Sequence, residues 1–435
     1  MNTELVIIGA GAAGLFAACE AADAGLKAVL VERRHRAGLK LLMCGNNRCN
    51  LSHVGSAEEL LRAYGNPVRD FLDEAVRTLP PSELQRWFQA RLGLRTKVLG
   101  SRIYPYSEKG DDVLHAFLDH LRDRDFPVIY SAPVEKIQHL DSGYYVSTPN
   151  FSLEARTLLL TIGGFSYPRT GSVGDGKPFS QMLGIPFEEP QAGLVGLSLP
   201  EHHPLAQITA TIDLPQVTVS MPGLSDLDGN LLIENGVLRG AAIFDLTRLA
   251  ARFHHNEFSL TIDFFPQESA EQLARRFQTL LQRTGQPRTA LNALGLPPML
   301  AEALAKDGVD AKLLKNYHPG KLHPRPLKEA IVTIGGFSRS AFDPATMQCR
   351  LLPGLYAAGE VLDIDGPTGG YNLHAAFATA HLAIRSLAQS LKQRPAPSPR
   401  SPNSAPRPRR GTTGANDPRK SAWGKHFWDG KRPQR

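Results

Sequence analysis

The sequence predicts an α/β fold in which two distant stretches of chain close into one domain around a β-rich insertion. Three observations carry that expectation. The chain opens on an apolar strand, a glycine-rich turn and a helix. A second strand–loop–helix unit spans residues 351–388. The hexapeptide TIGGFS ends two apolar runs, at 161–166 and again at 333–338.

The opening segment reads LVIIGAGAAGLFAACEAADAGLKAVLVER. Leu5–Ile8 is wholly apolar, and Gly9, Gly11 and Gly14 follow with G-x-G-x-x-G spacing. A helical run comes next, then a second strand, Ala28–Val31, ending in Glu32. This is the dinucleotide fingerprint in the context it needs. Gly9 makes the turn, Gly11 lets backbone approach a pyrophosphate, and Gly14 allows close helix–strand packing. The helix N-terminus offers free N–H groups and a positive dipole to phosphates. Glu32 can accept hydrogen bonds from ribose hydroxyls. The motif alone does not separate FAD from NAD.

The later unit, LLPGLYAAGEVLDIDGPTGGYNLHAAFATAHLAIRSLA, has a strand ending in Gly359–Glu360, a loop, and Gly369–Gly370 opening an Ala-rich helix. Flavin enzymes of the glutathione-reductase-like class have such a second element. There the strand-end acid, here Glu360, faces the ribityl–pyrophosphate region. The helix N-terminus, here Gly370, Tyr371, Asn372 and Leu373, faces the flavin pyrimidine ring, where a positive helix end stabilises the reduced, anionic form.

The two hexapeptides would mark the exit from this domain and the return to it. Thr161, Gly163 and Gly164 in the first copy, and Gly336 in the second, would then lie against the cofactor. Between them, 192–265 contains strand-like runs and 267–316 reads as helical. The expected architecture is a glutathione-reductase-like FAD-binding Rossmann domain, 1–190 and 326–391. A β-rich plus small helical substrate domain is inserted at 191–325, and a disordered basic tail follows at 392–435.

A chain of 435 residues can bury a large core. No apolar run is long enough to span a membrane. Four cysteines do not make a secreted disulfide framework. The expectation is a cytoplasmic protein with reduced thiols and no metal site. The net charge of +7 is uneven: residues 392–435 hold twelve Lys/Arg and two Asp, a net +10, which leaves −3 for the rest. The tail begins rich in Pro and Ser, which predicts an extended linker.

These residues resemble the bacterial NAD(P)/FAD-dependent oxidoreductase (BaiN-like flavoprotein) family, which includes bile-acid C=C reductases and an rRNA dihydrouridine synthase. The resemblance covers most of 1–390. It rests on IIGAGAAGL, KLLMCGNNRCNLSH, YPYSEKGDDVL, TIGGFSYPRTGSVGDG, AIVTIGGFS, DPATMQCRLLPGLYAAGEVLD and GPTGGYNLHAAFATA. It implies FAD contacts from Gly9, Gly11, Ala12, Ala13, Gly14 and Glu32, and a backbone contact to adenine from Val134. At the flavin end it implies Lys40, Asn50, Gly359, Glu360 and the start of the last helix. The chain departs from the family at Cys44–Asn47, where Ser-Gly-Gly-Gly is usual. It departs again at the IENGVLRGAA stretch, where the family often has a THFG.SGP loop, and at His374, usually Gln.

Three functions compete. The first is a reductase moving hydride from NAD(P)H through FAD to a C=C bond conjugated to a carbonyl. Cys49 is its candidate acid, Arg48 can hold an anionic oxygen, and Tyr371 is a second donor. The second is a thiol–disulfide flavoenzyme using Cys44 and Cys49, although no second G-x-G-x-x-G domain for NADPH is present. The third is a flavin-bound RNA-binding protein without catalysis. For the first, the substrate is a bile-acid-like enone or a ribosomal RNA uridine. The tail favours RNA. There Arg419, Lys420, Lys425, Lys431 and Arg432 interleave with Trp423, Phe427 and Trp428, pairing phosphate neutralisation with base stacking.

Overall fold

The computed structural model describes residues 2–253 and 257–393. The basic tail beyond 393, with every residue proposed there to bind RNA, lies outside the described residues. No helix among the described residues is long and apolar enough to cross a membrane.

The first sheet runs Val128–Ile129, Ala28–Val31, Asn2–Ile8 and Ser152–Leu160, all parallel. The long Ser152–Leu160 strand also pairs antiparallel with Gly143–Ser147 through its N-terminal part and parallel with Leu355–Ala357 through its C-terminal part. The apolar run Leu5–Ile8 is buried, as a strand covered on both faces must be. The helix Ala12–Asp23 buries Ala, Gly, Phe and Cys, and the last helix, Tyr371–Gln393, packs beside it. Phe16 stacks on Trp87 at 4.0 Å and meets Phe377 of the last helix at 5.3 Å. One core therefore unites sequence from both ends of the described chain.

The chain leaves this domain along Phe187–Gly193 and returns along Val332–Phe337, and these two strands pair antiparallel as a neck. Beyond the neck is a seven-stranded antiparallel sheet. The helices Ala270–Thr284, Pro287–Ala293, Pro298–Lys306 and Ala311–Lys315 complete a second core, which draws on residues from Leu197 to Leu322. Ser269 and Gln272 form a capping box that starts the first of these.

The IENGVLRGAA stretch is not a substrate loop throughout. It holds the strand Val237–Arg239 and the first turn of the helix Ala241–Ala251. Gly240 joins them at φ 102°, and a Cβ there would run into the Asn230 carbonyl, so the junction excludes a side chain. A further, three-stranded antiparallel sheet of Ser52–His53, Arg102–Pro105 and Thr96–Leu99 lies against the start of the last helix.

Candidate dinucleotide site

A cleft opens at the C-terminal ends of the first two parallel strands. Gly9 (φ 101°) packs against the Thr161 backbone, where a Cβ would fall 2.6 Å from the carbonyl oxygen. A Cβ on Gly14 would lie 1.8 Å from the Gly9 carbonyl, so this glycine holds helix to strand and is not itself on the cleft wall. A Cβ on Gly11 would meet nothing within 4 Å and would project into open space. Gly9, Gly11, Ala12 and Ala13 line the cleft, with the N-terminus of the Ala12–Asp23 helix presented to it.

Glu32 is buried at the end of the second strand. It accepts from the backbone N–H of Ala10 at 2.7 Å and of Arg34 at 2.8 Å. Burial pushes its carboxyl pKa up, and these two hydrogen bonds pull the other way. Val134 lies on the same wall, and Arg33 closes that end through its pair with Asp175 at 2.5 Å.

The opposite end is built from sequence-distant parts. Lys40 Nζ donates to Glu360 Oε2 at 2.6 Å and to Ser166 Oγ at 2.7 Å. Glu360 Oε1 accepts from the Thr333 N–H at 2.8 Å, and Thr333 Oγ1 accepts from the Phe165 N–H at 2.7 Å. Gly359 (φ 76°), Glu360, Asn372 and Leu373 complete the wall. The Asn372 side chain clamps the preceding loop through both the N–H (2.8 Å) and the carbonyl (2.9 Å) of Gly366. Gly370 (φ 102°) passes so close to Ser52 that a Cβ would sit 2.5 Å from its carbonyl carbon. Beside it, Asn50 Oδ1 is buried with no hydrogen-bond partner among the described residues, an acceptor left open at this end.

The hexapeptides therefore meet each other, and only one reaches the cleft. Thr161 and Gly163 line it, whereas Gly164 packs against the Thr333 side chain, where a Cβ would lie 2.4 Å from Oγ1. Gly336 corrects the expectation outright. It sits at φ 124° within the neck and backs onto the Val361 carbonyl at 2.4 Å from its would-be Cβ, away from the cleft. The second copy contributes through Thr333 and its hold on Glu360.

The candidate catalytic residues are also corrected. Cys49 is fully buried at φ 58° and does not line the cleft; burial pushes its thiol well up. Arg48 turns away to pair with Glu108, its guanidinium 4.6 Å from the centre of the Tyr104 ring. Cys44 does line the cleft, but burial outweighs the nearby Lys40 ammonium and raises its thiol to about 11. All four cysteines are free. A thiol held protonated at neutral pH is a poor exchange nucleophile, which argues against the disulfide reading. The Tyr371 ring is stacked on His53 at 4.9 Å and edge-on to Tyr64. It is packed at the helix start, outside the cleft lining.

Sequence reasoning missed the polar joint between the domains. Arg248 pairs with buried Asp365 at 3.1 Å, Arg252 with Asp365 and with Asp363, and Arg339 with Asp363 at 2.6 Å. The Gly335 N–H donates to Asp363 at 2.9 Å, and Asp245 accepts from the Thr368 N–H at 2.8 Å. The inserted domain is thus tied to the loop that precedes the last helix.

Residues 3–386 match the HI0933-like protein Rossmann domain. The chain is 27% identical to the 3-dehydro-bile acid delta(4,6)-reductase of Clostridium scindens, over 88% of this chain and 98% of that one. It is 25% identical to the ribosomal RNA dihydrouridine synthase of Escherichia coli K12, again over 88% and 98%. Among solved structures, the 3-ketosteroid delta1-dehydrogenase of Sterolibacterium denitrificans shares the fold, with a TM-score of 0.50 at 14% identity, covering 89% of this chain and 100% of that one.

Proposed function

The chain belongs to the HI0933-like Rossmann family, and on that footing we propose that it is an FAD-dependent oxidoreductase passing hydride from NAD(P)H to a C=C bond conjugated to a carbonyl, with a ribosomal RNA uridine as the substrate. The observation that carries the cofactor is the continuous cleft from Glu32, past the open face of Gly11, to Asn372 and Leu373. One helix N-terminus meets it at the phosphate end and a second begins at its far end, a spacing that suits a dinucleotide bearing a flavin.

Bound FAD would supply the hydride transfer chemistry. The protein's part is positioning and exclusion of water. Glu32 takes the adenosine ribose and Gly11 makes room for the pyrophosphate. The Lys40–Glu360 pair orders the middle of the cleft, and the start of the Tyr371–Gln393 helix favours negative charge near the flavin pyrimidine ring.

The uridine reading draws on the dihydrouridine synthase relative and on the +10 tail with its two Trp. It also suits the acceptor. Carbon 6 of uracil is β to the C4 carbonyl, so hydride at C6 and a proton at C5 give dihydrouridine. The base must be unpaired or extruded to reach the cleft.

The test is mass-spectrometric mapping of dihydrouridine in ribosomal RNA from a strain lacking the gene, joined to assay of the purified protein on that RNA. Loss of one site, restored by protein and NAD(P)H, is expected. An unchanged map, with turnover of a steroid enone that does not need the tail, would move the reading to a small-molecule reductase. Protein that folds but takes up no FAD would overturn the cofactor.

A further inference from the structure

The YPYSEK stretch, residues 104–109, does not line the cleft, but its Tyr104 ring packs beside Gly45 and Arg48, next to Cys44 on the cleft wall. The stretch begins in the second strand of the hairpin of Thr96–Leu99 and Arg102–Pro105 and runs past its end. The ring of Tyr106 is 57% exposed. The Arg95 guanidinium lies 4.7 Å from its centre and the Lys97 ammonium 5.4 Å, while the Tyr106 N–H donates to the Arg95 carbonyl at 2.8 Å. Residues 95–109 contain four cations, Arg95, Lys97, Arg102 and Lys109, and a single acid, Glu108. Glu108 is already taken by Lys97 at 2.6 Å and by Arg48. No carboxylate lies within ion-pair distance of Arg95, Arg102 or Lys109 among the described residues, although Asp245, held by Thr368, is near enough to feel the Arg102 charge.

This face is continuous with the start of the last helix. Arg102 pairs in register with His53, whose ring stacks on Tyr371. A Cβ on Gly369 would lie 3.7 Å from Arg102 Nε and 3.5 Å from the His53 ring. A chain of alternating phosphates and bases lying on the hairpin would therefore reach the helix N-terminus that borders the flavin end.

Unpaired cations beside an exposed aromatic ring match one partner chemistry well. Lys and Arg neutralise phosphates while the ring stacks on an unpaired base. We propose that Arg95, Lys97, Arg102 and Tyr106 form a docking surface for an unpaired RNA segment adjoining the target nucleotide. This deepens the uridine reading above and rests on it. Lys97 and Arg102 lie in the paired hairpin, and Arg95 and Tyr106 flank it, joined by the hydrogen bond from the Tyr106 N–H to the Arg95 carbonyl; this surface holds register at the site, whereas the tail contributes distant capture.

The experiment uses the full chain loaded with FAD. The probes are a fluorescent oligouridylate and protein-free ribosomal RNA from the strain lacking the gene. Arg95→Ala/Arg102→Ala should weaken binding at least about tenfold at low salt and lower the salt slope by about 1.4, roughly 0.7 for each phosphate of a single strand no longer neutralised. Tyr106→Ala should weaken binding roughly 5- to 100-fold with little change in salt slope, and Tyr106→Phe should restore it. An unchanged flavin spectrum and melting temperature in each variant exclude a folding defect.

If the wild type binds and modifies RNA and the variants do so equally well, the docking surface is overturned while the uridine reading stands. If the variants lose RNA binding but the wild type forms no dihydrouridine, the surface stands and the reaction falls. If the wild type binds neither probe, or the variants alter only self-association, the surface is overturned.

Discussion

Lys40 Nζ meets Glu360 Oε2 at 2.6 Å, joining the segment after the second strand to the turn before the last helix, 320 residues away. Both side chains are about four-fifths buried. Truncating one leaves the other charge without its partner in a partly desolvated wall. Lys40→Met should lower FAD affinity about tenfold and cost roughly 1–3 kcal/mol of stability. Glu360→Gln in the same chain should add much less than its own separate effect. Flavin titration and urea melts of the double-mutant cycle measure this; strictly additive losses would mean the pair is not coupled.

Gly11 and Gly14 should fail in different ways. Gly11→Val places its side chain in open cleft, so the protein should melt near the wild-type temperature yet release no FAD on denaturation. Gly14→Ala drives a Cβ into the Gly9 carbonyl and should lower the melting temperature whether or not flavin is added. A Gly11→Val protein that purifies yellow would remove the pyrophosphate from this turn.

Thr333 should matter to the cofactor although it stands on the neck. Thr333→Val removes the acceptor for the Phe165 N–H, an unmet donor costing about 1–3 kcal/mol. It also loosens the segment that holds Glu360. A shifted flavin absorption band together with lower stability is expected. Gly336→Leu should destabilise the neck, with flavin lost only as the fold is lost. A flavin defect in Gly336→Leu at full stability would contradict its placement.

His374 predicts an acid-sensitive fold. It is fully buried, with Nδ1 2.8 Å from Ser52 Oγ, and burial pulls its pKa down to about 4. A depressed pKa means the neutral ring stabilises the fold above the unfolded value near 6.5, and that stability drains away as pH falls towards 4. The effect is on the order of 3 kcal/mol over that window. His374→Gln should flatten the dependence of the urea midpoint on pH between 4 and 6.5. Parallel curves for the two proteins would assign acid sensitivity to other groups.

The thiols should be dispensable for turnover. Cys44→Ser and Cys49→Ala should keep NAD(P)H oxidation within a few-fold of wild type, and native Cys44 should alkylate slowly at neutral pH because its thiol titrates near 11. Loss of turnover in a folded Cys44→Ser protein would revive the disulfide reading.

The legible parts of this molecule were those in which function and local backbone coincide. Gly9, Gly11, Gly14 and Glu32 declare themselves because strand, turn, helix and acid are contiguous. The start of the last helix declares itself for the same reason. The rest depended on contacts that spacing does not encode. Identical hexapeptides gave Gly164 and Gly336 the same expected role, yet neither lines the cleft, which the first copy reaches through Thr161 and Gly163. The first copy, however, ends a parallel strand at the cleft, and the second lies inside an antiparallel pair. Arg48 and Cys49 are near the site in sequence, but Asn46, Asn47 and Cys49 all have positive φ, and the chain turns there. Asp365 gained meaning from Arg248 and Arg252 of the inserted domain, and Asp363 from Arg252 together with Arg339 and the Gly335 N–H on the returning chain.

The pairing of Leu355–Ala357 with Ser152–Leu160 has a consequence for biosynthesis. The ribosome delivers the glycine-rich turn early, but the strand and helix that wall the far side of the cleft emerge some 350 residues later. At about 5–20 residues per second that interval lasts tens of seconds. From the moment Ser152–Leu160 emerges, its apolar edge waits without a partner, while the inserted domain, whose core is contiguous in sequence, is already complete. Cofactor loading is therefore a late event, and a chain stalled before residue 355 leaves an unpaired strand edge for chaperones to shield.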